Sequence, residues 1–262
     1  MKTLVTHINP HLDDIVGIWL FKKYNSEFAD ANVEFISASR DAGGDTEEKI
    51  FIGTGGGQFD EHKEGLNTCA GSLVFDYLKA AGNIPDLDAK ALEKLIEWNL
   101  LVDTGKASSS EFDEFSIQSF IRTKDNSSES SRRSVELGQE ILDRVLEVLR
   151  KREQSKIDWE KAVEFESQFG KGYAVESETV NREFVREKDG DLYLMVDPKY
   201  NSVQYFSPEK DISAIYEKVK EKDPEASWFL HQSHHMVICG SSSAPDSKPT
   251  KLSMEELIEA AK

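Results

Sequence analysis

The feature that most constrains this chain is its opening strand-to-helix turn. LVTHI (residues 4–8) is a short apolar run with the character of a buried strand, and the segment from Asp13 to Tyr24 carries Ile15, Ile18, Trp19 and Phe21 at helical spacing. Between them, THINPHLDD places two histidines and two aspartates around a proline. Pro10 fixes its own φ and stiffens the turn, so His7 and His11 are expected at a defined separation. A turn at the carboxyl end of a strand in an open α/β sheet faces the crevice where ligands bind. Imidazole and carboxylate together suit manganese, iron, cobalt or zinc. His7, His11 and Asp13 are therefore the first candidate metal or catalytic residues. Asp13 or Asp14 could alternatively be only the N-cap or first-turn acid of the helix, the favoured reading for Asp14.

The same alternation continues downstream. NVEFISAS (32–39) and KIFIGT (49–54) read as strands, and Thr68–Ala81 and Asp88–Leu101 as helices. That order predicts an α/β domain with a mostly parallel sheet and flanking helices over residues 1–123. KDNSSESSRRS (124–134) reads as an exposed loop, and amphipathic helices are expected over about 135–151 and 155–169. Residues 124–169 thus form a loop and connecting helices. From residue 170 onward, short strands (GYAVES, DLYLMVD, NSVQYFS, HMVICG) alternate with two helices (ISAIYEKVK, SMEELIEAA), which predicts a smaller C-terminal α+β domain for substrate binding over 170–262.

Three further segments carry chemistry. GTGGGQFDEHKEG (53–65) sets glycines, which let a backbone approach a ligand closely, before Asp60, Glu61 and His62. Two carboxylates and an imidazole in succession can bind a metal or orient an attacking water, and Lys63 adds a phosphate contact. A solvated charged turn is the plainer alternative. Asp103, at a helix end, matters only if the fold brings it to the other segments. In HQSHHMVICGSSS, three of the six histidines fall within five residues. His231 and His234 have metal-compatible spacing, and Gly240 and Ser241 offer anion donors; a strand with solvated histidines at its ends is equally compatible.

Other chemistries are poorly supported. No G-x-S-x-G elbow and no GK[ST]-terminated phosphate loop occurs. The formal net charge of -17 disfavours a long duplex nucleic acid, which needs many cationic contacts. A short anion held through a metal remains compatible, because the ion supplies local positive charge. Two cysteines, Cys69 and Cys239, do not make a disulfide framework. No apolar run approaches the roughly 18 residues of a membrane span. A cytoplasmic protein without a membrane partner is expected.

Taken together, the segments resemble the DHH phosphoesterase superfamily. T-H-I-N-P-H-L-D-D is similar to its first motif, H-x-x-x-D-x-D, with His11 in place of the middle Asp. F-D-E-H-K is similar to the name-giving Asp-His-His, with Glu61 in place of the first His. The melanocyte-proliferating-gene family of exonucleases resembles it further, in the second His and following carboxylate of the first motif, in a helix like Thr68-Cys69-Ala70-Gly71, and in an ending like Leu101-Val102-Asp103-Thr104-Gly105. The resemblance implies a divalent-metal phosphoesterase, with manganese expected and magnesium, cobalt or zinc as alternatives. It implies metal ligands at His7, His11, Asp13, Glu61 and Asp103, and catalytic residues Asp60, Glu61 and His62. Substrate contacts would come from His62, Lys63, His231, His234, Gly240 and Ser241. The implied partner is a short nucleic acid or nucleotide, and a homodimer is left open. The family's second motif ends a strand with an Asp that bridges two metals, whereas Gly53 or Thr54 stands here. Asp41 or Asp45 could substitute. A degenerate module that binds a nucleotide or protein without catalysis is the alternative.

Overall fold

The computed structural model describes residues 1–38, 42–63, 67–122 and 125–262. The chain divides into two compact units, Met1–Arg150 and Lys151–Lys262.

In the first unit, β1 (Thr3–His7) lies between β2 (Asn32–Ile36) and β3 (Lys49–Phe51), parallel to both. Leu4 pairs with Val33 on one side and Ile50 on the other. Because β1 is central, its carboxyl end opens between two neighbours, and α1 (Leu12–Tyr24) begins there. That helix is apolar almost all round, as a helix covered on every side must be. The sequence pattern marks Ile15, Ile18, Trp19 and Phe21 as its inner side, yet Val16 and Leu20 are also fully buried. The reason is a neighbour on each flank. A Cβ added at Gly17 would meet Ile52 and Val74, one following β3 and the other in α2 (Ala70–Ala80). On another face Trp19 Nε1 donates to Asp143 in α5 (Ser128–Trp159) at 2.9 Å. The helix α3 (Asp86–Asp103) packs against α1 and α2, and a short helix α4 (Ile117–Phe120) follows it.

The polar stretch expected as a loop over 124–134 is helical from Ser128. Ser127 Oγ accepts from the Ser130 N–H at 3.0 Å, and Asp125 Oδ1 accepts from the Ser127 N–H at 2.8 Å, which satisfies amides that a helix start leaves unpaired. The two helices expected over 135–151 and 155–169 are instead one helix that ends at Trp159, and Val163–Ser167 is a strand.

The second unit is a six-stranded sheet in the order β4-β5-β6-β7-β9-β8. Its strands are β4 (Val163–Ser167), β5 (Gly170–Glu176), β6 (Leu192–Asp197), β7 (Ser202–Phe206), β8 (Trp228–Leu230) and β9 (Met236–Cys239). Only β5 and β6 pair in parallel. Gly170, with φ +116°, turns the chain tightly from β4 into β5. On one face, Leu194 and Tyr205 pack with Ile215 and Val219 of α7 (Ser213–Lys222) and Leu257 of α8 (Met254–Ala261). On the other, Tyr193, Met195 and Phe206 pack with Phe184 of α6 (Arg182–Val185). The chain is thus mixed α/β, with a parallel three-stranded sheet and a separate, mostly antiparallel sheet with helices.

Candidate metal centre

The carboxyl ends of β1 and β3 open into a cavity of about 610 Å³. His7, His11, Asp13 and Asp14 line it from the first turn, Asp60, Glu61 and His62 from the loop after β3, and Asp103 from the end of α3. Three segments distant in sequence therefore meet at one sheet edge.

Asp14 sits at the centre of this arrangement. Its Oδ2 accepts from the His11 N–H at 2.7 Å, capping α1, and lies 3.0 Å from His7 Nε2. The other ring nitrogen, His7 Nδ1, donates to the Ile8 carbonyl at 2.8 Å. With Nδ1 carrying the hydrogen, Nε2 of a neutral ring presents a lone pair to a carboxylate oxygen. That contact requires a positive species, a proton or a metal ion, between the two atoms. In the absence of a metal, the Asp14 hydrogen bond outweighs burial and holds the His7 pKa up to about 9. Ligand atoms of His7, His11 and Asp14 all lie within 4.8 Å of one another. The sequence marks Asp14 as a helix-start acid; it is a cap and a ligand-competent group at once, and nothing in the sequence separates the two roles.

Asp60, Glu61 and His62 form a second such group. Burial alone would raise the Asp60 pKa, but the Gly56 and His62 amides and the His62 ring donate to its oxygens and hold it below the ordinary carboxylate range. His62 Nδ1 is 3.0 Å from Asp60 Oδ1, so that bond orients the ring, and the ring itself is exposed. Burial, then the charge of Asp14, pushes Glu61 up to about 7. Burial and the neighbouring Asp14, Asp103 and Glu61 charges push Asp13 well above the ordinary range, and burial and Asp14 raise Asp103.

These carboxylates repel one another across a shared cavity. Two of their oxygens, Asp14 Oδ1 and Glu61 Oε2, are buried without a hydrogen-bond partner. A site of imidazoles, excess negative charge and unsatisfied oxygens fits a divalent cation.

The remaining expected residues are placed as follows. Lys63 Nζ donates to the Gly57 carbonyl at 2.8 Å, tying down its own loop. Asp45 does not line the cavity; its two oxygens accept from the Phe51 and Gln58 amides. Asp41 lies outside the described residues. Gly53 has φ +68°, and a Cβ there would collide with Asp14 Oδ1, so the Asp14 carboxylate fills the space where a side chain at position 53 would project.

In the second unit, His231 and His234 sit in the tight turn between β8 and β9 and engage different partners. His231 Nδ1 bonds Ser233 Oγ at 2.9 Å, while His234 Nδ1 is 3.1 Å from Asp211 Oδ2. Neither belongs to a group of metal-competent side chains among the described residues. Gly240 and Ser241 border a surface cavity of about 280 Å³ with Arg182.

No family model matches this chain, and no curated protein matches it. Among solved structures, a DHH domain described as a member of a family of ribosomal proteins aligns over 99% of this chain and 85% of its own. It shows 10% identity and a TM-score of 0.33. A Methanococcus jannaschii protein assigned as a family II inorganic pyrophosphatase aligns over 100% of this chain and 99% of its own, with 14% identity and a TM-score of 0.22. Neither description singles out the melanocyte-proliferating-gene family. Likenesses this distant carry no chemistry to the site, which rests on its own geometry.

Proposed function

We propose that the first unit is a metal-dependent phosphoesterase that hydrolyses phosphodiester bonds of short oligonucleotides or small phosphate esters. The observation that carries this reading is the His7–Asp14 contact beside the unpartnered oxygens of Asp14 and Glu61. His7, His11 and Asp14 would hold one ion; Asp60, Glu61 and His62 would flank a second, with Asp13 and Asp103 adding negative charge. When bound, divalent metal, with manganese expected and magnesium, cobalt or zinc as alternatives, supplies charge that neutralises phosphoryl oxygens and acidifies a water.

The protein's own groups then have separate tasks. Asp60 orients the His62 ring through Nδ1, so that the doubly protonated ring directs its Nε2 hydrogen toward the phosphoryl or leaving oxygen. Glu61, in the same cavity, accepts the proton of the attacking water. A P–O bond forms to the water oxygen, the ester P–O bond breaks, and the leaving oxygen takes the His62 proton. The Asp14 carboxylate fills the space beside Gly53, and we assign it the part of the absent strand-end aspartate. Within the second unit, Gly240 and Ser241 are assigned to an anionic or hydroxyl group of the substrate, supported by Arg182 at the same cavity, and His231 and His234 are assigned to substrate contact on the sequence reading alone. Both cysteines are free, which supports a cytoplasmic location. Among the described residues no helix is long and apolar enough to cross a membrane.

The glycine at position 53 also favours a second reading, a degenerate module that binds a nucleotide or protein partner without cleaving. Manganese-dependent release of p-nitrophenol from bis(p-nitrophenyl) phosphate separates the two. Activity lost in His11→Ala supports the enzyme. Equal, metal-independent background in both proteins supports the binding module.

A further inference from the structure

A second cavity, of about 560 Å³, shares His11, Asp13 and Asp103 with the acidic one, so it is its direct neighbour. That volume falls within the roughly 300–1,000 Å³ of small-molecule sites. We propose that it binds the nucleobase of the substrate, and that it selects bases carrying an exocyclic amino group. The proposal rests on the phosphoesterase reading and names its substrate class.

The walls suit a planar ring. Pro10 and Leu12 come from the first turn, Val102 from α3 and Ile121 from just after α4. Two of the polar groups among them present acceptors without a donor. Asn99 is fully buried, and its Nδ2 donates to Cys69 Sγ at 3.1 Å, which leaves Oδ1 with no partner. Gln118 Oε1 is likewise buried and unpartnered. Buried carbonyl oxygens of this kind are costly to leave unpaired. A ligand that satisfies them must bring N–H or O–H groups. At the same time Arg122 lines the cavity with no carboxylate at salt-bridge distance among the described residues. Its guanidinium is therefore available to an anion.

A flat ring, hydrogen-bond donors and a nearby negative charge are combined in one common class of molecule, a nucleotide; the exocyclic amino group of adenine, cytosine or guanine brings two N–H donors for the two unpaired oxygens, where the N3–H of uracil or thymine brings one. Such bases are recognised by their exposed edges and by packing of their faces. A site built to hydrogen-bond an amino group also discriminates against the analogue that lacks it. In this placement the phosphoester runs from the base cavity into the acidic cavity past their shared wall.

The test uses the full chain and nucleosides, which carry no phosphate and report on the base cavity alone. Adenosine is compared with purine riboside, which lacks only the 6-amino group, and cytidine with pyrimidin-2-one riboside, which lacks only the 4-amino group, by titration calorimetry. The expected result is a preference of at least about tenfold for the amino form. Gln118→Leu, verified as folded by circular dichroism, erases that preference. No binding of either amino nucleoside, or a preference that survives Gln118→Leu, overturns the proposal. Hydrolysis of bis(p-nitrophenyl) phosphate measured in parallel keeps the two readings apart. Nucleoside preference without hydrolysis removes the phosphoesterase and leaves the base site; hydrolysis without nucleoside binding removes the base site alone.

Discussion

His7 Nε2 lies 3.0 Å from Asp14 Oδ2, while His7 Nδ1 is already committed to the Ile8 carbonyl. One imidazole nitrogen and one carboxylate oxygen are thereby held where a proton or a metal ion must sit. Asp14 also caps α1 through the His11 amide, so its two tasks can be separated by substitution. Asp14→Asn keeps an acceptor for the amide and loses the charge. It is expected to lower divalent-metal affinity at least about tenfold and, by removing the charge that faces His7, to return the His7 pKa toward that of an ordinary imidazole. Asp14→Ala is expected to lose both, with a stability cost of about 1 kcal/mol for the missing cap. Calorimetric metal titration and thermal melting of both variants check this. Unchanged affinity in Asp14→Asn contradicts it.

Gly53 provides an independent route to the same carboxylate. A methyl group there would collide with Asp14 Oδ1, and the backbone has φ +68°. Gly53→Ala is expected to cost about 1–2 kcal/mol for the left-handed conformation and to displace Asp14. Its metal affinity is expected to fall to the level of Asp14→Asn. Metal titration of a Gly53→Ala protein that is folded but binds normally would remove Asp14 from the site.

Acid stability is expected to depend on a group far from the metal centre. Asp88 is buried, and its carboxylate is bonded by the Arg150 guanidinium and by the Tyr24 hydroxyl at 2.8 Å. The Arg150 bond is the main cause that holds its pKa below the ordinary carboxylate value. A group depressed on folding contributes stability that is present above its unfolded pKa and lost as pH falls through the folded value. The melting temperature is therefore expected to drop as pH falls below about 4. Asp88→Asn is expected to be less stable at neutral pH and to show a shallower acid decline. An acid decline identical to wild type contradicts this.

The second unit has its own test. Tyr205 is fully buried and its hydroxyl donates to the Leu257 carbonyl at 2.7 Å, fastening α8 to the sheet. Tyr205→Phe leaves that carbonyl without its donor and is expected to cost about 1–3 kcal/mol in chemical denaturation. A change below a few tenths of a kcal/mol would show that the bond is not what holds α8.

Much of the first unit was legible because its signals are local. An apolar strand, a proline-stiffened turn and a dense helix identify β1 and α1, and ligands at a strand's carboxyl end face the crevice of an open sheet. His7, His11, Asp13, Asp60, Glu61, His62 and Asp103 line one cavity. What the sequence left hidden depended on contacts. Asp14 looks like any first-turn acid until His7 is folded against it. Ser128–Ser134 reads as loop because its helix start is secured by hydrogen bonds to Ser127 and Asp125 rather than by apolar spacing. Val163–Ser167 mixes charged and apolar residues in a pattern that suits either a helix or a strand, and pairing with β5 decides it. Asn99 and Gln118 were silent for the same reason, since an unpaired amide oxygen exists only in a packed structure.

The most direct test of the central claim, that the first turn and the Asp60–His62 loop cage divalent cations, is metal content by elemental analysis. Wild type, Asp14→Asn and the double variant Asp14→Asn, Glu61→Gln are purified without chelator. The account predicts about two ions per wild-type chain, fewer in Asp14→Asn, and essentially none in the double variant. A metal-free wild type, or equal content in all three proteins, would contradict it.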